Sequence, residues 1–220
     1  MRFRRRQTIW GVNSARPVDQ ALYDCVQQNL GDPAFWGRFL TEVPDVSAGL
    51  TVEEIRFIRE NGMRLLPIYN DFRVALGDRR GRTAARNAIF NAQRLGIPEG
   101  TFLFANLERF FDIDAAWLIA WVDAFLDSGY RPGFYNDPVQ GDFNAAFCQA
   151  VEAEPAVLNQ SVLWSAEPEP GTLPQAEAPA FAPAEPDCGG SVWAWQYGRD
   201  SDICPIDTVL MNDELFSAIE

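Results

Sequence analysis

The chain has no histidine and no lysine; all 18 of its basic residues are arginine. Each absence removes a class of chemistry. Without histidine there is no Ser-His or Cys-His nucleophile couple and no histidine-built zinc site. Without lysine there is no Schiff base and no P-loop. The serines stand in no G-x-S-x-G elbow, and the four cysteines, at 25, 148, 188 and 204, form no C-x-x-C pair. No apolar run reaches transmembrane length. A formal net charge of -13 argues against nucleic acid, because phosphate binding needs a basic surface. No metal or cofactor is expected. Any chemistry must come mainly from carboxylates, amides and tyrosines.

What is present suits one globular domain. The chain has 220 residues, 47% hydrophobic and 22% charged, enough to bury a large core. Residues 1–6 read as a solvated basic tail, since they lack the apolar stretch of an export signal. Residues 7–220 read as the domain.

The most informative stretch is Thr101–Glu108 (TFLFANLE), an aromatic-rich apolar run after a Gly-Ile-Pro-Glu-Gly turn. As a strand it places Phe102, Phe104, Asn106 and Glu108 on one face, and Leu103, Ala105 and Leu107 on the other. An amide and a carboxylate at the C-terminal end of a buried strand is how α/β barrels present catalytic groups. The plain alternative is a strand leaving the core for water.

Further strands are expected at 7–13, 34–40, 64–70, 131–136, 161–165, 191–197 and 206–211. Helices separate most of them, beginning at Pro17, at the Thr51/Glu54 capping box, at Thr83, at Asp114 and near Asp142. Strands alternating with helices imply a parallel sheet, and eight of them imply an α/β fold, a single small (β/α)8 TIM barrel. Pro67 is awkward in a central strand. Ala166–Asp187, loaded with Pro, Ala and Glu, is no crossover helix but an extended connector, running either over the mouth or along the outside. Cys25 and Cys148 read as buried small hydrophobes, whereas Cys188 and Cys204 flank one strand and either bridge or stay free.

Several motifs together resemble a family. They are Gly37-Arg-Phe-Leu40, Gly62-Met-Arg-Leu-Leu-Pro-Ile-Tyr69, Tyr130-Arg-Pro-Gly-Phe-Tyr135, Trp195-Gln-Tyr197 and Ile206-Asp207. In that order the chain resembles the glycoside-hydrolase-like barrel domain catalogued as domain of unknown function 1906. More distantly it is similar to the family 25 glycoside hydrolases, the lysozyme-type muramidases. The resemblance accounts for Pro67. It implies a general acid at Glu108 and an acidic partner at Asp207, and it suggests extracellular or cell-wall-directed action. The muramidases carry aspartate where this chain has Asn13 and Asn106, and an amide cannot act as base or nucleophile.

The candidate catalytic residues are therefore Glu108, Asp207, Asn106 and Asn13. The candidate substrate-binding residues are Tyr69, Asp71, Tyr135, Arg38, Trp164, Trp195 and Gln196. Some of these have plainer readings: Asp71 as a loop cap, Asp207 as a solvated carboxylate where its strand begins, Arg38 as the partner of a barrel carboxylate and Trp195 as core; Glu167, which follows Trp164, reads either as a strand-end carboxylate or as the start of the connector. Two function classes stand. One is a glycosidase acting on N-acetylated polysaccharide such as peptidoglycan, with Asn106 or Asn13 orienting the acetamido group in a substrate-assisted reaction. The other is a catalytically degenerate barrel that binds glycan or protein.

Overall fold

A computed structural model describes residues 8–219; the basic tail lies outside the described residues. Eight strands form a closed barrel in sequence order. They are β1 (Thr8–Asn13), β2 (Phe35–Phe39), β3 (Arg64–Tyr69), β4 (Phe102–Asn106), β5 (Arg131–Asn136), β6 (Val162–Ser165), β7 (Val192–Gly198) and β8 (Asp207–Asn212). The α-helices are α1 (Gln20–Asn29), α2 (Val52–Glu60), α3 (Asp78–Arg94), α4 (Ala115–Phe125), α5 (Phe143–Ala153), α6 (Ala156–Gln160) and α7 (Asp213–Ser217).

Helix starts follow side-chain caps. Asp19, Thr51 and Asp114 accept hydrogen bonds from the backbone N–H groups of Leu22, Glu54 and Trp117. The first helix thus begins after Asp19 rather than at Pro17. Helix α3 begins at Asp78, ahead of the expected Thr83, because its first turn (Asp-Arg-Arg) carries no apolar signal. Its Gly81 faces the Trp117 carbonyl of α4, where any Cβ would collide.

The expected all-parallel sheet needs one correction. Strand β8 runs antiparallel to both β7 and β1. Only residues 199–206 join β7 to β8, and a parallel crossover needs a dozen residues or more. The chain therefore turns back on itself. The reversal pairs Asn13 with Asp207 and Thr8 with Asn212. The start of β8 thus lies at the C-terminal mouth, and α7 sits at the opposite end. There Arg64 donates to the carbonyls of Phe216 (2.5 Å) and Ile219 (3.2 Å).

Two apolar layers hold the barrel. Phe35, Leu66, Ile68, Phe102, Phe104 and Trp164 belong to the inner one, which α7 extends with Leu215 and Ile219. Leu65, Tyr69, Leu103, Ala105, Phe134 and Trp195 belong to the outer one, under the helices. The alternation read from Thr101–Glu108 matches this division.

Segment 166–187 runs along the outside of β7, where a crossover helix would otherwise lie. Trp195 donates to the Pro168 carbonyl (2.9 Å) and Tyr197 to that of Leu173 (2.7 Å), while Phe181 packs edge-on against Trp195. The disulfides differ from expectation. Cys25 bridges Cys204, and Cys148 bridges Cys188. The first ties α1 to the β7–β8 turn, and the second ties α5 to the end of the connector.

Candidate active site

The C-terminal mouth collects polar side chains from five strands. Asn13 donates to Gln196 Oε1 (3.0 Å), and Gln196 donates in turn to the Tyr135 hydroxyl (3.1 Å). This chain crosses the barrel interior from β1 through β7 to β5. Tyr135 is buried and so holds its phenol proton well above the usual range; the neighbouring Glu108 charge adds to the effect. Since its oxygen accepts from Gln196, its own O–H is left to donate.

Glu108 stands at one side of the mouth. The Asn106 amide donates to its Oε1 (3.1 Å), and Arg199 lies 3.8 Å from its Oε2. Arg199 is shared, also pairing with Glu169 of the connector. Burial works against the Arg199 charge, but Tyr135, Glu169 and Glu108 outweigh it and raise its pKa. Asp207 stands at the other side and accepts from the Asp200 backbone N–H (2.8 Å). Burial is the main cause that pushes its pKa up to about 7, with the Asp200 and Glu108 charges acting in the same direction. The mouth therefore contains two carboxyl groups in unlike surroundings. One has an amide donor and a cation beside it; the other is desolvated and titrates near neutrality.

Open space flanks both groups. A groove of about 450 Å³ reaches Glu108 and Asn106 from Val46, Arg73 and Phe110. A smaller recess of about 260 Å³ touches Asn13, Arg16 and Asp207.

Other expected site residues lie elsewhere. Arg38 faces outward from β2 and is fully enclosed. It donates to Glu54 of α2 (2.5 Å) and to the carbonyls of Ser14 (2.8 Å) and Ala48 (3.1 Å). It cannot touch substrate from there. Glu54 accepts from Val18 N–H as well, so its side chain does not close the capping box read from the sequence. Tyr69 also faces outward and stacks between Phe72 and Trp121. Trp195 belongs to the connector contact. Trp164 points into the barrel but is wholly buried beneath the mouth, packed on Phe104 and Tyr135. Asp71 is an exposed residue just beyond β3.

Arg199 and Glu169 were missed. Arg199 directly follows β7, so the strand-end rule that singled out Glu108 would have found it. Glu169 had no local signal, because only the folded connector brings it to Arg199.

The crystal structure of an uncharacterized B. stearothermophilus protein is 53% identical, covering 96% of this chain and all of that one, with a TM-score of 0.95. At 11% identity the Clostridium perfringens spore cortex lytic enzyme SleM has a TM-score of 0.61, over 96% of this chain and 69% of that one. A muramidase from Acremonium alcalophilum, 14% identical, has a TM-score of 0.57 over 96% and 98%. A comparison with curated proteins finds no match. The Rv2525c-like, glycoside hydrolase-like domain model matches residues 34–185, most of the barrel, and the chain belongs to that family.

Proposed function

We propose that the barrel cleaves an N-acetylated polysaccharide such as peptidoglycan, with Glu108 and Asp207 as its working carboxyl pair. The observation that carries this reading is the meeting of these two groups at one mouth in opposed electrostatic settings. Glycoside cleavage asks for one protonated and one ionised carboxyl group, and pairs whose environments are pushed apart mark such roles. The resemblance assigns the proton to Glu108. The contacts favour the reverse: Asp207 holds the proton near neutral pH, and Glu108 has the amide and guanidinium that a carboxylate attracts. In this reading Asp207 protonates the glycosidic oxygen as the C1–O bond breaks. Glu108 takes a proton from the attacking water, or steadies the positive charge that develops on the sugar. Asn13 engages its amide N–H with Gln196, which leaves its Oδ1 to accept from an acetamido N–H.

The likeness to a spore cortex lytic enzyme and a muramidase supports a cell-wall polymer as substrate. The two disulfides suit the oxidising compartment in which such a polymer is met. The test is product release from purified peptidoglycan by wild type, Glu108→Gln and Asp207→Asn. Each substitution is expected to lower turnover by about 10²–10⁴. A wild type that binds glycan without cleaving it would instead identify a binding barrel, in which Asn13 and Asn106 mark lost catalysis.

A further inference from the structure

Charge is unevenly placed on this chain. Its formal net charge is -13, yet helix α3 (Asp78–Arg94) holds five arginines and a single carboxylate. That carboxylate, Asp78, is engaged by Arg82, which also meets Asp123 of α4. Arg79, Arg80, Arg86 and Arg94 are exposed and form no ion pair among the described residues. Residues three and four apart share a helix face, and Arg79, Thr83, Arg86, Phe90 and Arg94 keep that spacing. The opposite face is small and buried, with Gly81, Ala84, Ala85, Ala88 and Ala92. Packing therefore turns the arginine row outward. The row does little for the fold. Cations in the first turn oppose the helix dipole, and Arg82 and Arg86, four apart, repel each other. Phe90, in the middle of the lower half, is 62% exposed.

The row is about 22 Å long, with Arg79, Arg86 and Arg94 about 10–12 Å apart. Thr83 and Phe90 separate these cations, so the row alternates charged and uncharged positions. A matching ligand is linear and spaces its anions with uncharged links. Guanidinium groups pair phosphate through two parallel hydrogen bonds. A bilayer would ask for several apolar side chains to insert, and of the described residues of α3 Phe90 alone is large, apolar and exposed. The acidic remainder of the surface is screened beyond about 8 Å at physiological ionic strength. We propose that the outer face of α3 binds a linear phosphodiester polymer with short polyol links, Arg79, Arg86 and Arg94 pairing its phosphates and Phe90 covering a carbon link. Helix α3 follows β3, so the row starts on the side of the mouth and runs down the barrel wall.

The experiment is a titration of ¹⁵N-labelled protein with lipid-free poly(glycerol phosphate), and separately with poly-L-glutamate and phosphatidylglycerol vesicles. Poly(glycerol phosphate) is expected to shift the Arg79, Thr83, Arg86, Phe90 and Arg94 amides. Its affinity should fall with salt, with a log–log slope of about -2 for three neutralised phosphates. The triple variant Arg79→Gln/Arg86→Gln/Arg94→Gln should weaken binding by about tenfold or more. All three side chains are exposed, so the fold is expected to persist, and the wild-type shift map stands without the variant. Absent binding, shifts away from α3, an unaffected triple variant, equal binding of poly-L-glutamate or tighter binding of the vesicles would each overturn the proposal. The site is separate from the mouth, so the result holds whether or not the barrel cleaves glycan.

Discussion

Two arginines, one on β2 and one just beyond β7, show how differently one residue type can be used. Arg38 is sealed between β2 and α2, with Glu54 and two backbone carbonyls on its guanidinium. Arg199 stands at the mouth, 28% exposed, divided between Glu108 and Glu169. The first has its partners supplied by the fold and no route to solvent. The second holds charge beside open space. A satisfied buried ion pair reports on folding, whereas a shared, half-exposed one reports on a site.

The largest effect should come from breaking the sealed pair. Arg38→Met leaves Glu54 as an uncompensated buried charge, which typically costs about 3–5 kcal/mol. The double variant Arg38→Met/Glu54→Leu is the control. It removes both charges and should recover most of the loss, because well-packed apolar residues commonly replace such pairs at little cost. Urea unfolding of the two variants measures this. A single variant as stable as wild type would show that Arg38 is not the anchor described here.

The sequence did show the barrel, its strands and the face of β4 that carries Asn106 and Glu108. Those follow from apolar runs, turn residues and period-two alternation, all of which are local. It was less able to assign strand-end residues to the inside or the outside. Tyr69 ends a strand and so counts as a site candidate, yet alternation from the inward Leu66 and Ile68 puts it outside. The reversal of β8 escapes the parallel-sheet expectation, although the short link of residues 199–206 leaves no room for a crossover. Disulfide pairing was not legible. Four cysteines permit three pairings, and the choice depends on which loops the fold brings together. The same holds for Arg38, whose partner lies on α2.

A smaller effect is expected at Arg199. Arg199→Gln removes a cation that favours the ionised form of Asp207, so ionisation of Asp207 becomes harder. The limb of the pH–rate profile set by Asp207 should move to higher pH, with kcat/KM at pH 8 higher by about threefold. Arg199→Lys keeps the charge and should restore most of the profile. Stability should change by less than about 1 kcal/mol, as for other half-exposed pairs. A loss of stability comparable to that of Arg38→Met would erase the distinction between the two arginines.

The smallest effect concerns Asp207, and it has the opposite sign. Its pKa is raised from 3.8 to about 7 by burial and by the neighbouring Asp200 and Glu108 charges, against the pull of Arg199 and the Asp200 N–H. The folded state therefore holds this proton more tightly than the unfolded chain. The resulting stability is fully present below pH 4 and is lost as pH rises through 7. Asp207→Asn has no charge to form, so it should match wild type near pH 4 and exceed it at pH 7.5. Asp207 is largely buried but keeps some contact with solvent at the mouth, which screens part of the effect, so the gain is on the order of 1 kcal/mol. Urea unfolding at pH 4, 5.5 and 7.5 gives the difference curve. Parallel curves for the two proteins would mean that Asp207 ionises without cost and cannot keep a proton for catalysis. A divergence confined to this window, in a variant that has also lost turnover, would mean that the mouth retains a carboxyl group at the expense of stability. That is the reverse of what Arg38 and Glu54 do beneath α2.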